Sequence, residues 1–196
     1  MSRRVKMVCK QEKKPRKRVW ISLFVTLAVI LAVAVLINMA IIFYFSEEDR
    51  EESGNRSTGV VEWLMHFLHP DYDSLDWNTQ LDIMKSTHHL VRKLAHFAEF
   101  ALLGFLSSGL VAYLNRRKHW FKLWLEWLIP IAFGLLYAIS DEVHQIFSDR
   151  GASAKDVLID FAGVLAGVLF MRVILWVIRS CKRRRERRKC ETPATS

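Results

Sequence analysis

Apolar residues in this chain come in long blocks parted by short charged stretches, not at the alternating or three-to-four spacing of a soluble core. A helix needs about 20 mostly apolar residues to cross a bilayer, rising about 1.5 Å per residue through about 30 Å of hydrocarbon. Four blocks meet that length: Val19 to Phe45, Leu94 to Leu114, Trp120 to Ser140 and Val157 to Ile178. The first carries no charge. The second holds His96 and Glu99 near its start, the third Lys122, Glu126 and Pro130, and the fourth Asp160 and Arg172. Trp20, Tyr44, Tyr113, Trp120, Trp124, Trp127 and Trp176 fall where helix ends would meet headgroups. The pattern predicts an all-α, polytopic integral membrane protein with four transmembrane helices. A cleaved leader is the alternative for the first block, since basic residues precede it. Its apolar run, however, exceeds the roughly 7–15 residues of a signal core.

The remaining segments take their places around these spans. Residues 1–18 form a basic arm, 19–45 the first span, 46–93 an extended loop, 94–178 the core of three further spans, and 179–196 a basic tail. Within the loop, Val60 to His69 places Val61, Leu64, Phe67 and Leu68 on one helical face, which predicts an amphipathic helix lying on the membrane. From Asp76 to Arg92, Leu81, Met84, His88 and Val91 recur at helical spacing, so this stretch should run straight into the second span.

Charge then sets orientation. The first 18 residues hold nine Lys and Arg against the single acid Glu12, whereas 46–92 holds four against ten acids. Arg116, Arg117 and Lys118 stand alone between the second and third spans, 140–156 is acid-rich, and the tail from Arg179 holds eight bases against two acids. Basic and acidic sides alternate in step with the crossings, which predicts cytoplasmic termini at both ends. The net charge of +9 is thereby a matter of topology. The CKRRRERRK tail suits anionic lipid better than nucleic acid, since no nucleic-acid module accompanies it. Cys9, Cys181 and Cys190 fall on the reducing side, are odd in number and lack metal-site spacing.

Ionisable groups in or beside membrane helices are costly and point to function. Lys93, His96 and Glu99 lie in the first turns of the second span, three apart, within an arc of about 120°. Asp141, Glu142, His144 and Gln145 close the third span, Arg150 and Ser153 follow in the loop, and Asp156 and Asp160 open the fourth. Three spans thus deliver charge to one depth, at the outer face. Beneath them, the pairs Gly163/Gly167 and Gly104/Ser108 have the small-xxx-small spacing that brings helices close. Pro130 is expected to kink the third span, and Lys122 and Glu126 to reach the headgroups.

Each polar residue also has a plain structural role open to it: Lys93 or Arg150 neutralising Asp141, Glu142 or Asp160. As a site, Lys93 and Arg150 suit an anionic group, with Glu99, Gln145, Ser153, Asp156 and Asp160 as further ligand-binding candidates. His96 with Asp141 or Glu142 suits acid–base catalysis. No paired His or His–Glu spacing enforces a metal site, so neither metal nor cofactor is expected.

The run from Arg92 through His96 and Glu99 to Phe100, then Leu103-Gly104, resembles the first signature of the VanZ-like membrane protein family. Ser140 to Phe147, then Arg150, Ser153, Asp156, Asp160 and Gly163, resembles the second. The likeness covers about residues 90–170. It departs at Phe100, where Tyr is usual, at Ser148-Asp149, where Pro-Gly is common, and at Asp160, where Asn is common. The resemblance implies the same site: Lys93, His96, Glu99, Asp141, Glu142, Gln145, Arg150, Asp156 and Asp160. It also implies a role in the Gram-positive cell envelope, since the family's namesake is associated with resistance to lipid-tailed glycopeptides such as teicoplanin.

Three functions follow. One is a membrane factor that binds a polar or anionic group of a lipid, or a lipid-tailed glycopeptide, at the outer leaflet. The second is an outer-leaflet enzyme hydrolysing or transferring a group on an envelope lipid or peptidoglycan precursor, with His96 as acid–base. The third, an ion- or proton-linked transporter, ranks last because no inverted repeat is present and Glu126 and Arg172 alone continue a path inward.

Overall fold

A computed structural model describes residues 17–47, 50–118, 122–147 and 153–191. Among them are five α-helices and no strand: α1 Lys17–Glu47, α2 Arg50–Leu68, α3 Trp77–Lys118, α4 Leu125–Phe147 and α5 Ala154–Glu191. A short 3₁₀ turn, Tyr72–Ser74, links α2 to α3. Three helices are long and apolar enough to cross a membrane, over Ser22–Ser46, Trp77–Arg116 and Ala154–Arg187. The 23 residues of α4 span roughly 34 Å, but Glu126, Asp141 and Glu142 dilute their apolar character.

The periodic segment before the second apolar block does run into it. The result is one helix, α3, of 42 residues and roughly 63 Å, about twice the thickness of a bilayer core. Asp76 starts it: its carboxylate accepts hydrogen bonds from the Thr79 backbone N–H (3.2 Å) and hydroxyl (2.6 Å), as an N-cap does. The first part of α3 carries α2, which buries Val61 and Met65 while leaving Val60, Trp63, Phe67 and Leu68 exposed. Val61 and Met65 thus pack inward, while Phe67 and Leu68 stay on the exposed side of α2.

The core lies where the remaining helices meet: Phe100 and Leu103 of α3, Ala138 of α4, Val164 and Val168 of α5, with Val35 and Ile42 of α1. Leu36, Leu136, Leu158 and Leu169 face outward, more than half exposed. An apolar exterior of this extent suits hydrocarbon rather than water. α1 is pinned by polar contacts to backbone, with Asn38 Nδ2 donating to the Glu99 carbonyl (3.3 Å) and the Tyr137 hydroxyl to that of Met39 (2.6 Å).

The closest helix pair is α3 with α5, and glycine permits it. A Cβ on Gly163 would collide with the carbonyl of Phe97, and one on Gly167 with the carbonyl of Ala101. The small-xxx-small pair thus meets α3 backbone to backbone. That contact flanks Glu99 on α3, between Phe97 and Ala101, and starts one turn after Asp160 on α5.

α4 starts at Leu125 rather than Trp120 and runs to Phe147 rather than Ser140, so Asp141, Glu142 and Gln145 lie in its last turns. Helix α4 continues through Pro130. Proline has no N–H, so the carbonyl four residues back, that of Glu126, loses its helical donor. Arg172 Nη2 supplies one. Glu126 is also not a headgroup-reaching surface acid: it is 5% exposed, and its carboxylate accepts from Arg172 Nη1 (2.8 Å) and Asn115 Nδ2 (2.5 Å).

Candidate functional site

At the other end of the same helices the candidate residues converge. α3 contributes Arg92, Lys93, His96 and Glu99; α4 contributes Asp141, Glu142 and Gln145; the start of α5 contributes Asp156 and Asp160, with Ser153 just before it. Arg150 lies outside the described residues. The helices run alternately up and down, so the middle of α3, at Arg92 to Glu99, and the first turns of α5 stand beside the last turns of α4.

Asp141 is the hub on α4. It is 4% exposed, and its Oδ2 accepts from Gln145 Nε2 at 3.0 Å, one helical turn on. The same amide donates to Ser46 Oγ of α1, also at 3.0 Å. Gln145 therefore has both amide hydrogens engaged and acts as a bracket between α1 and Asp141, rather than as a free ligand contact. Ser46 was not anticipated: a serine ending an apolar span has no periodicity or charge to mark it.

Glu142, next in sequence and 5% exposed, accepts from the Ser153 backbone N–H through Oε2 (2.9 Å). Ser153 enters the site through its main chain, satisfying a donor near the start of α5. Glu142 also lies in the fields of Asp156, Asp141 and Arg92. Arg92 too was missed as a site residue, because its charge was counted only toward topology.

Lys93 Nζ reaches Asp156 Oδ1 at 3.0 Å across the α3–α5 groove, with both side chains roughly one-third exposed. This pair forms the open rim. His96 Nδ1 stands 3.7 Å from Glu99 Oε2, an ion-pair distance too long for a hydrogen bond. Deepest is Asp160, 3% exposed, in the combined field of Asp141, Glu142, Asp156 and Glu99.

Two departures from the family pattern gain a physical meaning here. Phe100 is fully buried, with its ring 6.0 Å from that of Tyr137, so the residue standing where Tyr is usual packs the floor below the cluster. Asp160, where Asn is common, adds a carboxyl to a place already rich in them.

The arrangement leaves acceptors unmet. Asp141 Oδ1 and Glu142 Oε1 are enclosed without a hydrogen-bond donor. Among the described residues, five carboxyl groups share this end with Arg92, Lys93 and His96. A buried carboxylate without donors is destabilising, so chemically the site is a set of acceptors waiting for donors, with a lysine at its mouth. No three described His, Cys, Asp or Glu side chains come together as metal ligands would.

The model of the VanZ/LLP1 family matches residues 29–176, well over half the chain and the whole of the site, as the two signatures imply. No curated protein and no solved structure matches the chain.

Proposed function

Because the chain belongs to the VanZ/LLP1 family, we propose that it is a four-span cell-membrane protein, with α4 as the additional crossing and both termini cytoplasmic. Its end cluster binds the polar group of an envelope lipid or of a lipid-tailed glycopeptide at the outer leaflet. In this role it protects a Gram-positive cell against antibiotics of the teicoplanin type. The length of α4 supports the extra span, and its acids turn into the bundle rather than toward lipid: Glu126, Asp141 and Glu142 are all buried. The alternation of basic and acidic segments supports the orientation.

One observation carries the binding role. Three helices place their costly polar groups at one end, yet leave enclosed acceptors without donors. A purely structural cluster would have paired them. Binding is favoured over hydrolysis or group transfer because Asp141 and Glu142 each hold one oxygen to a positioning donor.

Expression in a teicoplanin-susceptible Gram-positive host tests this reading. Wild-type protein should raise the inhibitory concentration, and Glu142→Ala or Arg150→Ala should return it to the vector level at unchanged membrane abundance. Full protection from both variants would reject the assignment.

A further inference from the structure

The charge balance of the cluster names what kind of group it takes. Among the described residues, Glu99, Asp141, Glu142, Asp156 and Asp160 outnumber the bases near them, Arg92, Lys93 and His96. A buried acid excess is relieved by protonation or by a cation brought in. An anion would add to the repulsion and offer no donors. The second observation is local and separate from the count. Asp141 and Glu142, each at least 95% buried, keep one oxygen without a donor while the other is held by Gln145 Nε2 or the Ser153 N–H. These two oxygens are enclosed and lack a donor among the described residues.

Resting on the reading that this cluster is a ligand site, we infer that the bundle end binds a primary ammonium group, whose N–H donors go to the Asp141 and Glu142 carboxylates. An ammonium answers both shortages at once, because it is cationic and has three donors and no acceptor. A metal ion is a poorer match, since it needs three or more ligands converging at short distance and none of the described groups do so. The Lys93–Asp156 pair at the rim lies where a neighbouring phosphate would sit, with Lys93 free to exchange Asp156 for it. An ammonium next to a phosphate is the chemistry of an ethanolamine phospholipid headgroup; a water-soluble phosphoethanolamine carries the same groups.

The test uses the full chain in nanodiscs of phosphatidylcholine, whose quaternary nitrogen has no N–H donor. Tail-labelled phosphatidylethanolamine, phosphatidylglycerol with the same acyl chains, and soluble phosphoethanolamine are titrated in turn. Ethanolamine lipid should bind roughly tenfold more tightly than glycerol lipid, the equivalent of about 1.4 kcal/mol. In Asp141→Asn and Glu142→Gln the preference should shrink to within about twofold. If either variant fails to fold by circular dichroism, Asp156→Asn at the half-open rim serves instead, with a smaller but measurable loss of preference. Phosphoethanolamine binding as tightly as the lipid supports the ammonium and rejects a lipid source. Equal or preferred binding of phosphatidylglycerol overturns the ammonium while leaving a polar-headgroup site intact. Binding of none of the three, together with retained protection by Glu142→Ala in cells, removes the site and the inference alike.

Discussion

The two ends of the α3–α4–α5 bundle bury charge in opposite ways. At one end Glu126 and Arg172 are matched one to one, and both carboxylate oxygens have donors. The guanidinium also caps the carbonyl that Pro130 leaves open and lies 5.2 Å from the centre of the Trp127 ring. Within that cluster only Arg172 Nε lacks an acceptor. At the other end acids outnumber bases and enclosed oxygens stay unmet. The same helices, with the same apolar core between, support a closed cluster and an open one. Burial of charge alone therefore does not mark a function; incomplete pairing is what distinguishes the cluster at which we propose binding.

Breaking the closed cluster should have the largest effect. Arg172→Ala strands a buried carboxylate and an uncapped carbonyl, and should cost about 3–5 kcal/mol. Denaturant titration in detergent micelles measures it. The double variant Glu126→Ala/Arg172→Ala should lose clearly less than the two single losses added, by about 0.5–3 kcal/mol. Strict additivity would mean that the ion pair is incidental.

Next comes the contact between the two ends. Gly167→Val drives side-chain atoms into the Ala101 carbonyl and forces α3 from α5, costing about 1–3 kcal/mol as overpacking does. Gly109→Ala is the control, for its added methyl meets only the flexible end of Met171 and should change stability by no more than about 0.5 kcal/mol. Similar losses from both would show that backbone approach is not what holds these helices.

The open cluster should respond in the opposite direction to the closed one. Asp160→Asn removes one carboxyl from an acid-rich site without changing its shape. It should stabilise the fold by about 1 kcal/mol, or about 2–4 °C in Tm, while reducing teicoplanin protection. Stability and function moving apart is the mark of a binding site held under electrostatic stress. A fall in Tm would place Asp160 with the structural pairs instead.

How much of this the sequence disclosed follows from the range of the signals involved. Long apolar runs and helical periodicity are local, so the continuous α3 and the gathering of Lys93, Glu99, Asp141, Glu142, Asp156 and Asp160 were legible. Pairing across the bundle is not local. Glu126 and Arg172 lie 46 residues apart, and only packing reveals that the arginine serves a carbonyl freed by Pro130. Ser46 and Gln145 are 99 apart and meet for the same reason. The start of α4 shifted because Trp120 to Trp124 are apolar enough to extend a span, although the helix takes its register from Leu125 onward.

The smallest effect concerns a carboxylate that belongs to neither cluster. Asp76 is exposed and caps α3, and the Thr79 hydroxyl, then the Thr79 N–H, hold its acid below the ordinary carboxylate range. A group whose folded-state acid is stronger than its unfolded one contributes stability in full above the unfolded value. That contribution is lost as pH falls through the folded value. Acidification should therefore loosen only the first turn of α3, seen as faster amide exchange at Thr79 and Gln80, with the global midpoint unmoved. Asp76→Asn keeps an acceptor for Thr79 but has no acid to titrate, so its exchange should be flat over the same interval. An Asp76→Asn shift in Tm as large as that of Asp160→Asn would mean that enclosure is not what separates a stressed carboxyl from a capping one. The contrast between the two ends of the bundle would then need another cause.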